Sequence, residues 1–214
     1  MSKSKARIRL TTTNIDKKIK MSELTNPVKA NLTVSVMFRD ENLLAEVRSI
    51  LGKKYGKIDA VSDAYNFSSI SPYYDPEMGS DIKKIIFSFK KTVPRDILAN
   101  VKLFCVKIEQ KYSRNGHRLV NLDPGLLTLE NFILATGKNY SHRIYLKKGV
   151  FAEVTLMFGK KNVIKELPWT YRDYLYEPAR SFLLYVREIY RGKRAAVRKS
   201  EGEKNESYSV SDKA

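Results

Sequence analysis

Between residues 30 and 122 the apolar residues switch repeatedly between a period of two and a helical spacing, and this succession constrains the fold more than any other feature. Leu32, Val34, Val36 and Phe38 alternate with Thr33, Ser35 and Met37, the period-2 signature of a strand. After Asp40, the set Leu43, Leu44, Val47, Ile50 and Leu51 has helical spacing, with Gly52 and Gly56 suited to its end. Extended stretches follow over Ile58–Phe67 and Lys84–Lys90, the second with Ile85, Phe87 and Phe89 on one face, and a loop from Ser71 to Asp81 separates them. Pro94 suits a first helical position, and Ile97, Leu98, Val101, Phe104, Cys105, Ile108 and Tyr112 form the clearest amphipathic helix, which Asn115-Gly116 stops. A fourth strand, Leu119–Leu122, runs into Asp123-Pro124-Gly125. The order predicts an α+β fold with a ferredoxin-like βαββαβ core.

An extension completes the core: a short helix over Leu129–Thr136, an antiparallel hairpin with two or three strands, and a closing helix from Ala179 to Tyr190 with Phe182, Leu183, Val186 and Ile189 inward. A three-residue loop Lys147-Lys148-Gly149 registers the hairpin so that Leu146 pairs with Val150, Tyr145 with Phe151, Ile144 with Ala152, Arg143 with Glu153 and His142 with Val154. This register gives one apolar face, on which His142 lies. A two-residue loop of Lys148-Gly149 puts Arg143 opposite Val154 and mixes the faces, and is set aside on that ground.

With 214 residues and 43% hydrophobic content, the chain has enough material for one domain with a real core. Its single cysteine, Cys105, excludes internal disulfides and cysteine-based zinc clusters. No charged stretch followed by an apolar segment lies near Met1, and no window approaches the ~18 apolar residues of a membrane span, so no membrane role and a cytoplasmic location are expected. The net charge of +17 is unevenly spread. Residues 1–29 carry eight Lys/Arg against two acids and residues 187–214 eight against five, about half the excess. Both segments lack sustained apolar periodicity, so 1–29 and 192–214 are expected to be disordered tails around a domain at 30–191. Basic tails can hold phosphates non-specifically, but solubility is the commoner reason for them.

The strings Asn121-Leu122-Asp123-Pro124-Gly125, Ser141-His142-Arg143-Ile144-Tyr145-Leu146, Ala152-Glu153-Val154-Thr155-Leu156, Leu167-Pro168-Trp169-Thr170-Tyr171 and Tyr73-Tyr74-Asp75-Pro76-Glu77-Met78-Gly79 recur in order in a bacterial family of unknown function, number 4416, which the chain resembles over roughly residues 30–191. The resemblance implies no activity, so candidate residues rest on their chemistry. Asp123 at a strand end reads as a base, a ligand or a cap on the turn amides that follow, and Asn121 points to its side of the strand. Arg143 and Glu153 read as a cross-strand ion pair, or as an anion clamp if they line a cleft. His142 reads as a satisfied core histidine before a general base. Tyr74 and Glu77 lie on a loop long enough to act as a lid. Trp169, Tyr171 and Asp173, with Arg172, Tyr174 and Tyr176, either stack a base or cover a sheet edge.

Two histidines, His117 and His142, do not make a metal centre, and although Glu77, Asp123, Glu153 and Asp173 leave an all-carboxylate site open, no metal is predicted. There is no phosphate-binding Gly-rich loop ending in Lys-Ser/Thr, no GxGxxG, no GxSxG and no HExxH. Three readings remain: a binding module for an anionic ligand, a nucleotide or RNA; a hydrolase or transferase using Asp123 with a second carboxylate; and a structural or partner-binding protein. Two carboxylates within reach of one cleft favour the second, whereas scattered carboxylates paired with Arg or backbone amides sink it.

Overall fold

The structure is a computed structural model that describes residues 24–211. Most of the expected N-terminal tail, residues 1–23, lies outside the described residues. Strand β1 (Ala30–Phe38) leads to α1 (Glu41–Tyr55), whose first turn is capped by the Asp40 carboxylate, accepting from the amides of Asn42 (2.8 Å) and Leu43 (3.4 Å). The stretch expected as one strand at 58–67 is two pieces, β2 (Ile58–Val61) and β3 (Tyr65–Asn66), both paired with β4 (Lys83–Val93). The expected loop before β4 contains a 3₁₀ turn, Pro72–Tyr74, and a single helical turn, α2 (Asp75–Met78). After α3 (Leu98–Lys111), Asn115-Gly116 turns the small hairpin of β5 (Ser113–Arg114) and β6 (His117–Arg118), both turn residues having positive φ. The chain continues through β7 (Val120–Leu127), β8 (Asn131–Thr136), β9 (Ile144–Lys147), β10 (Val150–Phe158), β11 (Ile164–Lys165) and α4 (Ala179–Ser211).

Among the described residues one antiparallel sheet has the order β11-β10-β8-β7-β1-β4-β2, with β3 on β4 and β9 on β10. The four strands of the βαββαβ unit lie as β7-β1-β4-β2, so β1 is internal. All nine residues of β1 are buried, Asn31, Thr33 and Ser35 included, so both faces of the alternating strand are packed. The reason is a third layer. Val34, Val36, Phe87, Phe89 and Leu122 pack with α1 and α3 on one side, while Ile86, Leu127, Phe132 and Leu134 pack with Tyr174, Phe182, Leu183, Val186 and Tyr190 on the other.

The helix expected over Leu129–Thr136 is instead strand β8. Phe132 and Leu134 face α4 while Ile133 and Ala135 face the opposite cluster, and a short apolar run buried on both faces carries no period to tell strand from helix. The hairpin loop is also corrected. Val150 pairs with Lys147 across the two-residue turn Lys148-Gly149, at φ 49° and 76°, and a bulge at Leu146 then restores the pairs Tyr145–Phe151 and Ile144–Ala152. The turn set aside on register grounds is thus compatible with the expected faces, because the bulge absorbs the extra residue. Helix α4 continues past Tyr190 to Ser211, through the segment whose composition predicts a disordered tail.

Candidate functional site

The site forms where the sheet forks. Strand β7 pairs with β1 along its whole length, but with β8 only over Gly125–Leu127. Beyond that point the β7 edge has lost its partner, and side chains of α3 take its place: Glu109 Oε1 accepts from the Leu122 amide at 2.7 Å and Lys102 Nζ donates to the Leu122 carbonyl at 2.7 Å. Two residues on, Pro124 presents no N–H to the same unpaired side. Gly125 closes the fork, since a Cβ there would meet the Phe132 ring at 2.5 Å and the Ile133 carbonyl oxygen at 3.0 Å. Asp123-Pro124-Gly125 is therefore not the turn expected after a strand but the interior of a strand. The Asp123 carboxylate caps no turn amides; it accepts from Lys102 Nζ at 3.0 Å and from Asn121 Nδ2 at 2.7 Å. Burial would raise its pKa, but Lys102, Lys84 and these hydrogen bonds outweigh burial and hold it below the usual carboxylate range. Glu109, by contrast, is pushed up by burial.

A cavity of about 400 Å³ opens beside the fork, between the sheet, the Ser71–Tyr74 segment and the Tyr171–Tyr174 turn. Its apolar wall is Met37, Phe67, Leu134 and Ala135, and four tyrosines, Tyr73, Tyr74, Tyr171 and Tyr174, line it with the carboxylates of Asp123, Glu153 and Asp173 and the cations of Lys84, Lys138 and Arg143.

Most buried of the lining cations is Lys84, whose Nζ lies 2.6 Å from Asp173 Oδ2 with both side chains about 3% exposed, and 4.3 Å from the centroid of the Tyr174 ring. Tyr65 also donates to Asp173 at 2.8 Å, and the Tyr174 hydroxyl is 3.2 Å from Ser35 Oγ. Burial alone would lower the Lys84 pKa; Asp173 and the neighbouring tyrosines and Asp123 outweigh it, so the group stays protonated and is no amine nucleophile.

On another wall, Glu153 Oε2 accepts from Arg143 Nε and lies 2.8 Å from His142 Nε2, each contact 2.8 Å. His142 does not lie on the apolar face: β9 begins only at Ile144, so the strand register does not reach it, and its ring stacks on Trp169 at 4.6 Å between centroids. The Trp169 indole donates to the Val154 carbonyl at 2.8 Å. Arg143 also donates to the Tyr171 hydroxyl (3.0 Å) and to the Lys138 carbonyl (3.0 Å). Glu153 Oε1 is buried, and the Tyr171 hydroxyl interacts with the same carboxylate.

At the mouth, exposed Lys138 donates to exposed Tyr73 at 2.6 Å and draws the phenol pKa down. Tyr74 meets Tyr73 edge to face at 4.9 Å, and burial pushes its own pKa up to about 12.

Six candidate residues thus line one cavity: Tyr74, Asp123, Arg143, Glu153, Tyr171 and Asp173. The other four stand behind it. Glu77 accepts both Nε (2.5 Å) and Nη2 (2.7 Å) of Arg118, whose Nη1 bonds Asn121 Oδ1 (2.7 Å), so Glu77 and Asn121 tie the Tyr73–Tyr74 segment to β7. His142 and Trp169 support Glu153 and the β10 backbone. Lys84, Lys102 and Lys138 were not singled out by sequence. Lys102 and Glu109 sit on the same helical stripe as Leu98, Cys105 and Ile108, a placement that could have marked them as buried partners. Among the described residues no three of His, Cys, Asp or Glu are grouped so as to hold a metal ion, and no helix is long and apolar enough to cross a membrane.

Fold and cleft together define an α+β domain built on a single antiparallel sheet covered on both faces, with a cavity of small-molecule size at the fork between β7 and β8. The chain belongs to the domain-of-unknown-function family 4416 (DUF4416), whose model matches residues 28–190, from just before β1 to Tyr190 in α4. No curated protein and no solved structure matches it.

Proposed function

We propose that this domain is a binding module and that the cleft takes a small anionic ligand the size of a single nucleotide. The observation that carries the reading is the cavity itself: about 400 Å³, within the roughly 300–1,000 Å³ typical of small-molecule sites, walled by tyrosines and apolar side chains and bordered by Lys84, Lys138 and Arg143. Lys138 supplies the anion contact at the mouth, since only one of its three donors is engaged by Tyr73. A bounded cavity favours a mononucleotide over RNA, which needs an open basic groove tracking several phosphates. A cytoplasmic location fits such a ligand.

The catalytic reading has less support. Asp123, Glu153 and Asp173 do share the cavity, but each faces a cation, Lys102, Arg143 and Lys84 respectively, and an acid/base pair needs one carboxyl kept neutral.

The test is a thermal-shift and calorimetric panel of nucleoside monophosphates and inorganic phosphate at low and moderate salt, on wild type and Lys138→Ala. A ligand at 100 times its Kd raises stability by about 2.7 kcal/mol. The expected result is a salt-sensitive shift for at least one nucleotide, weakened on the order of 10-fold in Lys138→Ala. No shift for any member at low salt overturns the reading and leaves a structural or partner-binding role.

A further inference from the structure

We propose that the outer edge of β9, with the groove beside it, is a docking surface for an extended acidic segment of a partner protein, which adds to the sheet as one more strand. This surface shares no lining residue with the cleft, so the proposal stands apart from the ligand reading. Among the described residues β9 pairs with β10 alone, leaving the backbone donors and acceptors of its other side without a strand partner. Elsewhere the protein covers such groups. Lys102 and Glu109 meet the unpaired flank of β7, and Trp169 and Thr170 donate to the carbonyls of Val154 and Thr155 in β10. Nothing comparable covers β9 among the described residues.

Its side chains are equally uncovered. Ile144, Tyr145 and Leu146 are 70%, 59% and 39% exposed, three large apolar residues in succession on one edge strand. Scattered exposed apolar residues are ordinary, but a contiguous patch marks an interaction site. Between β9 and the start of α3 lies a groove of about 360 Å³, floored by Leu98, Ala99, Leu126, Ile133 and Ala152 and rimmed by Tyr145 and Leu146. A strand laid along β9 sends alternate side chains to this face, and the groove receives the apolar ones.

Charge decides the kind of occupant. Arg95 and Lys147 border the groove, exposed Lys148 follows at the turn, and Asp96 is the one carboxylate in the lining. An incoming segment with acidic residues flanking its apolar positions is therefore favoured. A second copy of this edge brings the same lysines with it, and the N-terminal residues 1–29, with eight Lys/Arg against two acids, bring more positive charge. Main-chain bonds to β9 supply affinity, while the groove and the cations supply selectivity.

Fluorescence polarisation of the full chain with three labelled peptides tests this. They are Asp-Glu-Ile-Thr-Ile-Thr-Ile-Asp-Glu, its counterpart with lysine at every acidic position, and its counterpart with proline at both threonines, which cannot pair as a strand. The acidic peptide is expected to bind on the order of 10-fold or more tighter than either control. Lys147→Glu, at an exposed position that does not threaten folding, is expected to weaken it by about 5-fold, and Leu146→Asp by about 10-fold. The amides of Ile144–Lys147 are expected to exchange more slowly once the peptide is added. No binding of the acidic peptide, or equal affinity for the acidic and lysine peptides, overturns the proposal. Binding of the proline peptide as tightly as its parent overturns strand addition. Binding of oligouridylate in place of the peptide, lost in Tyr145→Ala, assigns the surface to nucleic acid and overturns the proposal too. Slow exchange at Ile144–Lys147 before any peptide is added shows the edge already covered by this chain or a second copy, and does the same. A failure of the nucleotide panel on the cleft leaves each of these outcomes unchanged.

Discussion

Lys84 and Asp173 are both almost fully buried and lie 2.6 Å apart, so neither charge can be removed alone without stranding the other in a low-dielectric interior. Lys84→Met is expected to lower stability by about 3–5 kcal/mol in urea denaturation, the range for breaking a buried pair. A loss below about 1 kcal/mol would mean that Asp173 finds another partner. Asp123 carries a pH signature. Its folded pKa is depressed below its unfolded value, so it contributes stability that is present above the unfolded value, about 3.9, and lost as the pH falls through the folded one. The stability gap between wild type and Asp123→Asn is therefore expected to be widest above about pH 4 and to narrow on acidification. A gap that stays constant from pH 6 to pH 2.5 would refute this. At this scale the sequence marked Asp123, Arg143 and Glu153, because their spacing along strands is a local property. It did not mark Lys84, which follows Lys83 and reads as solvated until its carboxylate is known, and Asp173 lies 89 residues away; Lys102 was legible only through the apolar stripe that it shares with Glu109.

Strand β7 owes its fork to two residues with opposite defects: Pro124 lacks a donor and Gly125 lacks a Cβ. Gly125→Ala is expected to cost about 1–3 kcal/mol, because the added methyl overlaps the Phe132 ring and the Ile133 carbonyl at the last pair joining β7 to β8. Measured by chemical denaturation, a neutral substitution would show that the two strands can separate freely there. The β9–β10 turn offers the reverse case. Lys148 holds a φ of 49°, which asparagine adopts more readily, and Lys148→Asn is expected to stabilise by about 0.5 kcal/mol, read as a rise in Tm. Among the elements, α1, α3 and the long strands were legible because their apolar spacing is regular. Strand β8 was not, since burial on both faces erases the period, and the hairpin loop was misjudged because a bulge at Leu146 is invisible to a register counted residue by residue.

At the scale of the molecule, α4 and the Arg172–Tyr174 turn convert a two-layer core into three layers, and β1 becomes its centre. The amides of Leu32–Phe38 are accordingly expected to be the slowest to exchange with solvent, since they open only with global unfolding. Leu183→Ala, at a position with no exposure, is expected to cost about 2–5 kcal/mol and to speed exchange in β1; faster exchange confined to α4 would mean that the third layer opens independently. What the sequence by itself determined was the α+β class, the order of strands and helices along the βαββαβ unit, and a short set of residues around Asp123, Arg143 and Tyr74. These follow from period and spacing, which are encoded within a few residues of one another. The second covered face, the fork between β7 and β8, and the gathering of three carboxylates and three cations around one cavity were decided only by tertiary structure. Each depends on which distant segments meet, and a buried charge acquires its partner, its protonation and its role only when the chain has brought them together.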